Sequence, residues 1–576
     1  MPGDSLKVNI NAGGIAKNTF DAIVIGSGIS GGWAAKELCE KGLKTLVLER
    51  GRNIEHIKDY PTATMNPWDF KHRGAITEQE LKENPVISKC YAYTEDTHHF
   101  FVKDKEHPYI QEKPFDWIRG YQVGGKSIMW GRACQRWSNF EFTAPQRYGY
   151  AVDWPIRYDD IAPWYSHVEQ FAGICGGKDG LEAMPDGDYL PPFDMNCVEQ
   201  EIQKKISAHY KDRFMVHTRW AHLTKPKDIH LQQGRGQCQA RDLCTRGCPF
   251  GGYFSSVSST LPWALKTGNL TIRPFSVAHS IIYDEQKGKA TGVRVIDAQT
   301  KQATEYFAKV IFVNAACLNS NLILLNSTSN RFPNGIGNDS GLLGKYMAFH
   351  NYRGSVHGTV TGFEDKYYYG RNPTNPIIAN YRNLHKQDTD FLGGYLTFAW
   401  AARPRSTGDG GDTVGAAFKD ALTEPGSWIA GMYMQGEKIP KEINHVRLSK
   451  DEKDEWGIPQ LVTSIGYDDN DEKLVQDFLT QSAEMLGVAG VENIVKHDTK
   501  QAPGLDIHEM GGCRMGNDPK TSLLNKHNQL HLCNNVYVTD GACMTSTGNQ
   551  SPSVLYMAFA ARAANHAVEE LKKGNV

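Results

Sequence analysis

The sequence predicts a mixed α/β fold: a parallel, nucleotide-type sheet built from separated stretches of chain, plus a second, sheet-based domain. Three observations carry this. Near the N-terminus, Asp21-Ala-Ile-Val-Ile-Gly26-Ser-Gly28-Ile-Ser-Gly31-Gly32 is an apolar β-rich run that breaks into glycines and then takes on helical composition. Near the C-terminus, Val536-Tyr-Val-Thr-Asp540-Gly541 is a second buried-strand run, ended by an acid and a glycine. Between them, residues 345–500 hold aromatic and polar strand-like runs marked by Tyr367-Tyr-Tyr369, Trp400, Trp428 and Tyr433.

The elements follow in order. Ala22–Ile25 reads as a strand, Trp33–Lys41 as a helix and Leu43–Leu48 as a second strand, making one βαβ unit. Residues 51–118 are polar, aromatic and rich in His and Pro, with no period, and read as an excursion over a ligand. Gly120-Tyr-Gln-Val-Gly124-Gly125-Lys-Ser127-Ile-Met-Trp130-Gly131 is a second glycine-rich turn. Ile272–Asp284 and Ala290–Ile296 alternate like hairpin strands, Val310–Val313 is a buried strand, and 553–573 is a long closing helix.

At 576 residues the chain is long enough for two or more domains. A net charge of -2 leaves no electrostatic footprint for nucleic acid or an anionic membrane. No apolar run is long enough to span a bilayer, so no transmembrane segment is expected. The first 20 residues lack a charged region followed by an apolar one, so the sequence carries no signal-peptide pattern. Twelve cysteines are too sparse for a disulfide scaffold, although Cys238, Cys244 and Cys248 are crowded together.

The first glycine turn follows a strand, opens a helix and is answered by Glu49 at the end of the next strand. Its glycines allow a pyrophosphate to approach the helix N-terminus, and Glu49 suits ribose hydroxyls. That motif alone does not separate NAD from FAD. Four pieces together do: the Gly26–Gly31 turn with Glu49, the Gly124-Gly125-x-Ser127 turn, His508-x-x-Gly-x-x-Arg514-Met-Gly516, and Asp540-Gly541. In this order they resemble the glucose–methanol–choline (GMC) oxidoreductases over nearly the whole chain.

The resemblance implies a Rossmann-like FAD-binding domain assembled from residues 1–60, 110–345 and 500–576. Residues 61–110 and 150–235 would cover it, the latter running into the cysteine loop 238–248, and 346–499 would form a β-sheet substrate-binding domain. It implies cofactor contacts from Gly26, Gly28, Gly31, Glu49, Arg50, Gly124, Gly125, Ser127, Trp130, Gly131, Val277, Asp540 and Gly541. Some members link FAD covalently through a histidine in the second glycine turn; the matching position here is Met129, so FAD is expected to be non-covalent.

Oxidising an alcohol by hydride transfer requires a base for the hydroxyl proton, and a histidine suits that task. His508 matches the family's base, with a buried structural histidine as the plainer reading. The second catalytic position falls in Gly548-Asn549-Gln550-Ser551-Pro552, where the slot before the proline is Ser551 and Asn549 lies two residues earlier. Either side chain can hydrogen-bond a substrate hydroxyl, and Asn549 is favoured.

Cys238-x5-Cys244-x3-Cys248-Pro249 is similar to the loop that holds a three-iron [3Fe-4S] cluster in one subgroup of the family. A zinc site with a fourth ligand such as His230, and a cysteine turn with no metal, stay open. The turn around Arg132, the Tyr253 segment after the cysteines and the Pro552 helix resemble bacterial glucoside 3-dehydrogenases, which oxidise the C3 hydroxyl of glucosides to keto sugars. That resemblance implies a sugar substrate, a cytochrome or quinone as electron acceptor, a small companion subunit and a periplasmic location, with the cytoplasm as the alternative. Rival readings are a peroxide-forming oxidase and a flavin-containing lyase of the same fold.

Overall fold

The computed structural model describes residues 18–368, 375–405, 414–505 and 507–576. The signal-peptide reading of the first residues and the strand-like Tyr369 lie outside them, while Tyr367 and Tyr368 sit in irregular, exposed chain rather than in a strand.

The core is an eight-stranded sheet. Its parallel heart runs in the order 533–538, 303–313, 19–25, 45–48 and 270–273. Ala22, Ile23 and Val24 are fully buried there because strands in a parallel sheet have neighbours on both faces. Helix Ile29–Glu40 packs against the closing helix Ser553–Lys573, an Ala-rich segment whose small side chains permit close approach. Residues about 500 apart in sequence are thereby brought to one carboxyl edge, where open α/β sheets bind ligands.

The hairpin has different bounds from those expected. Leu270–Arg273 is a separate parallel strand, and the hairpin proper is Ser276–Asp284 with Lys289–Asp297. Pro274 and Phe275, the latter with φ of 54°, break the run between them.

Two further sheets build the upper half. A six-stranded sheet joins 492–498, 354–360, 428–436, 395–402, 377–378 and 215–216. A five-stranded sheet joins 510–512, 345–348, 445–453, 459–464 and 110–111. The region 346–499 therefore feeds two sheets, the six-stranded one borrowing 215–216 and the five-stranded one borrowing 110–111 and 510–512 from elsewhere in the chain. Among the described residues no helix is long and apolar enough to cross a membrane.

Candidate active site

The two glycine turns meet face to face. Gly124 N–H donates to Ser27 Oγ at 2.9 Å, and a Cβ placed on Gly125 would lie 3.3 Å from the Gly28 Cα. Gly26 has a φ of +96°, and a Cβ there would lie 2.2 Å from the Asn314 carbonyl oxygen. A Cβ on Gly31 would lie 2.0 Å from the Gly26 carbonyl oxygen, so those two glycines close the strand–turn–helix corner. A Cβ on Gly28 would meet nothing within 4 Å. Gly28 thus borders open space at a helix N-terminus, the place for an anion.

Glu49 accepts from Ser27 N–H at 3.2 Å and Gly51 N–H at 3.0 Å, and burial raises its carboxyl above the usual range. Ser276 N–H donates to the Glu49 carbonyl at 2.7 Å, which sets the next residue, buried Val277, beside it. Arg50 is held between Tyr121 and Trp456, 4.8 and 4.7 Å from their ring centroids. Ser127 donates to the Gly124 carbonyl and accepts from Ser256 N–H, so it braces the second turn. Trp130 is buried with its indole N–H on the Phe254 carbonyl at 2.9 Å, and Gly131 borders open space. At the far end Asp540 accepts from Ser320 and from Ala542 N–H, and burial pushes its carboxyl up to about 6. Gly541 opens the one-turn 3-10 segment that follows. Asn314 holds Thr539 through its side-chain oxygen and leaves its buried Nδ2 without a partner.

His508 stands at this edge, two residues before the short strand Met510–Gly512. That strand pairs antiparallel with Lys345–Ala348 through Met510↔Ala348, and carrying the register two residues further sets His508 opposite His350. Their Nδ1 atoms lie 2.9 Å apart. His350 is buried, with Nε2 at 3.2 and 3.1 Å from the carbonyl oxygens of Thr547 and Gly548. Burial lowers His350 to about 4. Burial, then the neighbouring His350 and Lys126, hold His508 well below the ordinary imidazole range. Both rings are therefore neutral near pH 7.

The structure separates Asn549 from Ser551. Asn549 Nδ2 donates to Glu437 Oε1 at 3.1 Å and Glu141 Oε1 at 3.3 Å, which occupies its amide hydrogens. Ser551 donates to Gln435 Oε1 at 3.1 Å, an oxygen that also accepts from the Tyr352 hydroxyl. The Tyr352 ring lies 6.2 Å from His508, centroid to centroid. The Ser551–Gln435–Tyr352 chain leads towards His508, whereas Asn549 has its amide hydrogens on two carboxylates and its buried Oδ1 without a partner, so each residue keeps a group that can meet a substrate hydroxyl.

Two family models for GMC oxidoreductases match the chain, the N-terminal one over residues 20–350 and the C-terminal one over 440–560. The chain belongs to the GMC oxidoreductase family. A 2-methyl-1,2-propanediol dehydrogenase from Mycolicibacterium austroafricanum is 26% identical, over 95% of this chain and 94% of that one. The fructose dehydrogenase large subunit of Gluconobacter japonicus is 25% identical over 96% and 98%, and paromamine 6'-oxidase of Streptomyces fradiae 25% over 96% and 92%. The crystal structure of pyridoxine 4-oxidase from Mesorbium loti shares the fold, with a TM-score of 0.57, 15% identity and coverage of 95% and 99%. The Rossmann-like domain with a sheet-based partner is thus the family architecture.

GMC enzymes bind FAD, and this oxidoreductase has a place for it. The open space at Gly28, the unpartnered Asn314 Nδ2 and the buried Asp540 lie at the carboxyl ends of adjacent parallel strands. These residues would hold the pyrophosphate and the polar chain beyond it.

The cysteine loop adjoins the second glycine turn, where the Tyr253 hydroxyl donates to the Ile128 carbonyl. Cys238, Cys244 and Cys248 line one cavity of about 20 Å³ with His222, Phe250 and Tyr253. Among the described residues no group of three or more His, Cys, Asp or Glu side chains is gathered closely enough to hold a metal ion. His230 has both ring nitrogens occupied, Nδ1 accepting from Lys227 N–H and Nε2 donating to the Gln170 carbonyl, each at 3.0 Å, whereas His222 Nε2 lies 3.7 Å from Cys244 Sγ. Two buried arginines flank the loop with nitrogens unpaired, Arg132 at Nε and Nη1 and Arg235 at Nη2. Sequence reasoning named the turn at Arg132 but not its place beside the thiols, and missed Arg235, His350, Gln435 and Tyr352, because each gains meaning only from a distant partner.

Proposed function

We propose that this GMC oxidoreductase is an FAD-dependent dehydrogenase that oxidises a secondary ring hydroxyl of a sugar or glucoside, at C3, to a keto sugar. The observation that carries it is the neutral His508, paired at Nδ1 with His350, at the edge of the dinucleotide cradle. When bound, FAD supplies the acceptor for the hydride lost from the carbinol carbon. His508 takes the hydroxyl proton, so alcohol becomes ketone with one proton and one hydride removed. Ser551, aligned by Gln435 and Tyr352, is the proposed second contact to the substrate oxygen.

The sugar assignment is supported by relatives whose names specify fructose, paromamine and gluconate. It is also supported by stacked aromatics near the base: Tyr352 over Tyr433 and Tyr433 over Phe398, at 6.5 and 4.9 Å. Aromatic faces suit the CH faces of pyranose rings.

A [3Fe-4S] cluster on Cys238, Cys244 and Cys248 is part of the proposal, with FAD held non-covalently. The orphaned Arg132 and Arg235 nitrogens favour an anionic group beside the three thiols. The cavity as folded is small and the three thiols are not gathered closely enough to hold a metal ion, so the loop must rearrange to admit a cluster. Electrons would leave to a cytochrome or quinone, in the periplasm, through a companion subunit; the companion subunit is supported by the relative described as a large subunit.

The test is an anaerobic titration of the purified protein with methyl glucoside and sucrose, read by absorbance. Flavin bleaching over a broad brown background supports dehydrogenase and cluster together. Bleaching without that background retains the dehydrogenase and removes the cluster. Peroxide formed in step with substrate loss in air would make it an oxidase, and no bleaching with any sugar would overturn the sugar assignment.

A further inference from the structure

We propose that His350 is a positioning residue that fixes the tautomer of His508, leaving His508 Nε2 bare as the basic atom. This deepens the reading above and rests on it for the identity of the base.

The argument is one of hydrogen-atom placement. His350 Nε2 faces two carbonyl oxygens, Thr547 and Gly548, at 3.2 and 3.1 Å. Carbonyls only accept, so that nitrogen carries the proton. In a neutral imidazole the other nitrogen is then a lone pair, and His350 is kept neutral by burial. His350 Nδ1 therefore accepts, and its partner at 2.9 Å, His508 Nδ1, donates. With its one proton on Nδ1, neutral His508 presents a lone pair at Nε2. Among the described residues no hydrogen bond engages that atom, and His508 is only part-buried. The rings meet edge to face, 5.1 Å apart at 88°, so His350 also fixes the His508 ring plane. Two backbone carbonyls thus dictate, through one buried histidine, which nitrogen of the base is available.

Two variants separate this role from simple filling of space. His350→Leu occupies the volume but neither accepts nor donates. His350→Gln can accept from His508 Nδ1–H and donate to the carbonyls. With a sugar that reduces the wild-type flavin, His350→Leu should slow anaerobic flavin reduction by about 100-fold or more, with KM unchanged within about threefold. His350→Gln should recover at least about tenfold of that loss. FAD content and melting temperature are measured alongside, so a misfolded variant is recognised as such.

The second readout needs no substrate. In protein labelled with 15N-histidine, and with His508→Asn to assign the signal, His508 Nε2 should give an unprotonated, pyridine-type resonance and Nδ1 a protonated one. A protonated Nε2 in the resting protein would overturn the inference even if the enzyme oxidises sugars. Equal reduction rates for wild type and His350→Leu would do the same, as would His350→Gln performing no better than His350→Leu. If no sugar reduces the flavin, the functional reading fails, while the nitrogen resonances still decide the tautomer.

Discussion

Gly28→Ala should abolish tight FAD binding while leaving the fold intact, and its neighbours provide the contrast. Gly28 has φ of −69° and ψ of −157°, a conformation open to any residue, and its added Cβ meets no protein atom within 4 Å. Replacing it with alanine in the empty protein should change stability by less than about 1 kcal/mol. The new methyl instead occupies the space in front of the helix N-terminus. A pyrophosphate displaced there loses about two hydrogen bonds to charged oxygens, each worth about 1.5–3 kcal/mol, which is roughly 10²- to 10⁴-fold in Kd. Gly26→Ala acts differently. Its φ of +96° and a 2.2 Å approach to the Asn314 carbonyl oxygen force the corner itself to move, destabilising the protein by more than about 2 kcal/mol.

The assay is a melting curve of each apoprotein, followed by titration with FAD monitored by flavin fluorescence. Gly28→Ala should melt like wild type and bind FAD weakly, whereas Gly26→Ala should melt early even without cofactor. If folded Gly28→Ala binds FAD within about threefold of wild type, the open space at Gly28 is not where the pyrophosphate lies. If it melts as early as Gly26→Ala, the reading of that space as open is wrong.

Four further outcomes follow from the site. On the proposed cluster, Cys244→Ser should remove iron and the brown absorbance while FAD is retained; iron absent from the wild type, or unchanged in the variant, would refute the cluster at this loop. Ser551→Ala should lower the rate of flavin reduction by about tenfold or more in a stable protein. Asn549→Ala, which strips two buried carboxylates of a shared donor, should instead lower stability by about 1–3 kcal/mol, and the reverse pattern in melting and stopped-flow data would restore Asn549 to the substrate. Glu437 is pushed up to about 8 by burial, so the folded protein holds a proton that the unfolded chain has released. Its contribution to stability therefore falls as pH rises from about 4.5 to about 8, by up to about 1.4 kcal/mol per unit. Glu437→Gln should flatten that slope in denaturant titrations across the window; an unchanged slope would show that Glu437 is ionised throughout.

What could be read from the chain was set by locality. The Gly26–Gly31 turn, Glu49 and the Ala-rich closing helix declare themselves because a strand, a turn and a helix each impose their own spacing on neighbouring residues. Asp540 and His508 were legible through motif resemblance. The Glu141–Glu437–Asn549 cluster was not, because its members come from three distant stretches and nothing in any one of them marks a buried carboxylate. The same holds for Arg132 and Arg235, which look like ordinary surface charges in sequence, yet both are buried with unpaired nitrogens beside the cysteine loop. The break between 273 and 276 was missed for a smaller reason: Pro274 and a left-handed Phe275 interrupt a run whose composition is otherwise that of one strand.

His350 is the instructive case, since a histidine one residue past Phe349 carries no signal of its own. It acquires a role from strand register. Pairing Met510 with Ala348 makes 508 and 350 opposite positions, so the sheet that receives His508 also delivers its partner. The backbone there is not relaxed: Ile507 and His508 have φ of 60° and 65°, and non-glycine residues in that region cost about 1 kcal/mol or more each. Such a conformation persists only where surrounding contacts over-determine it. Here the contacts are the ladder on one side and the bond to His350, itself fixed by two carbonyls, on the other. His508 is thus aimed by tertiary structure against local preference, and local sequence patterns could not have revealed how.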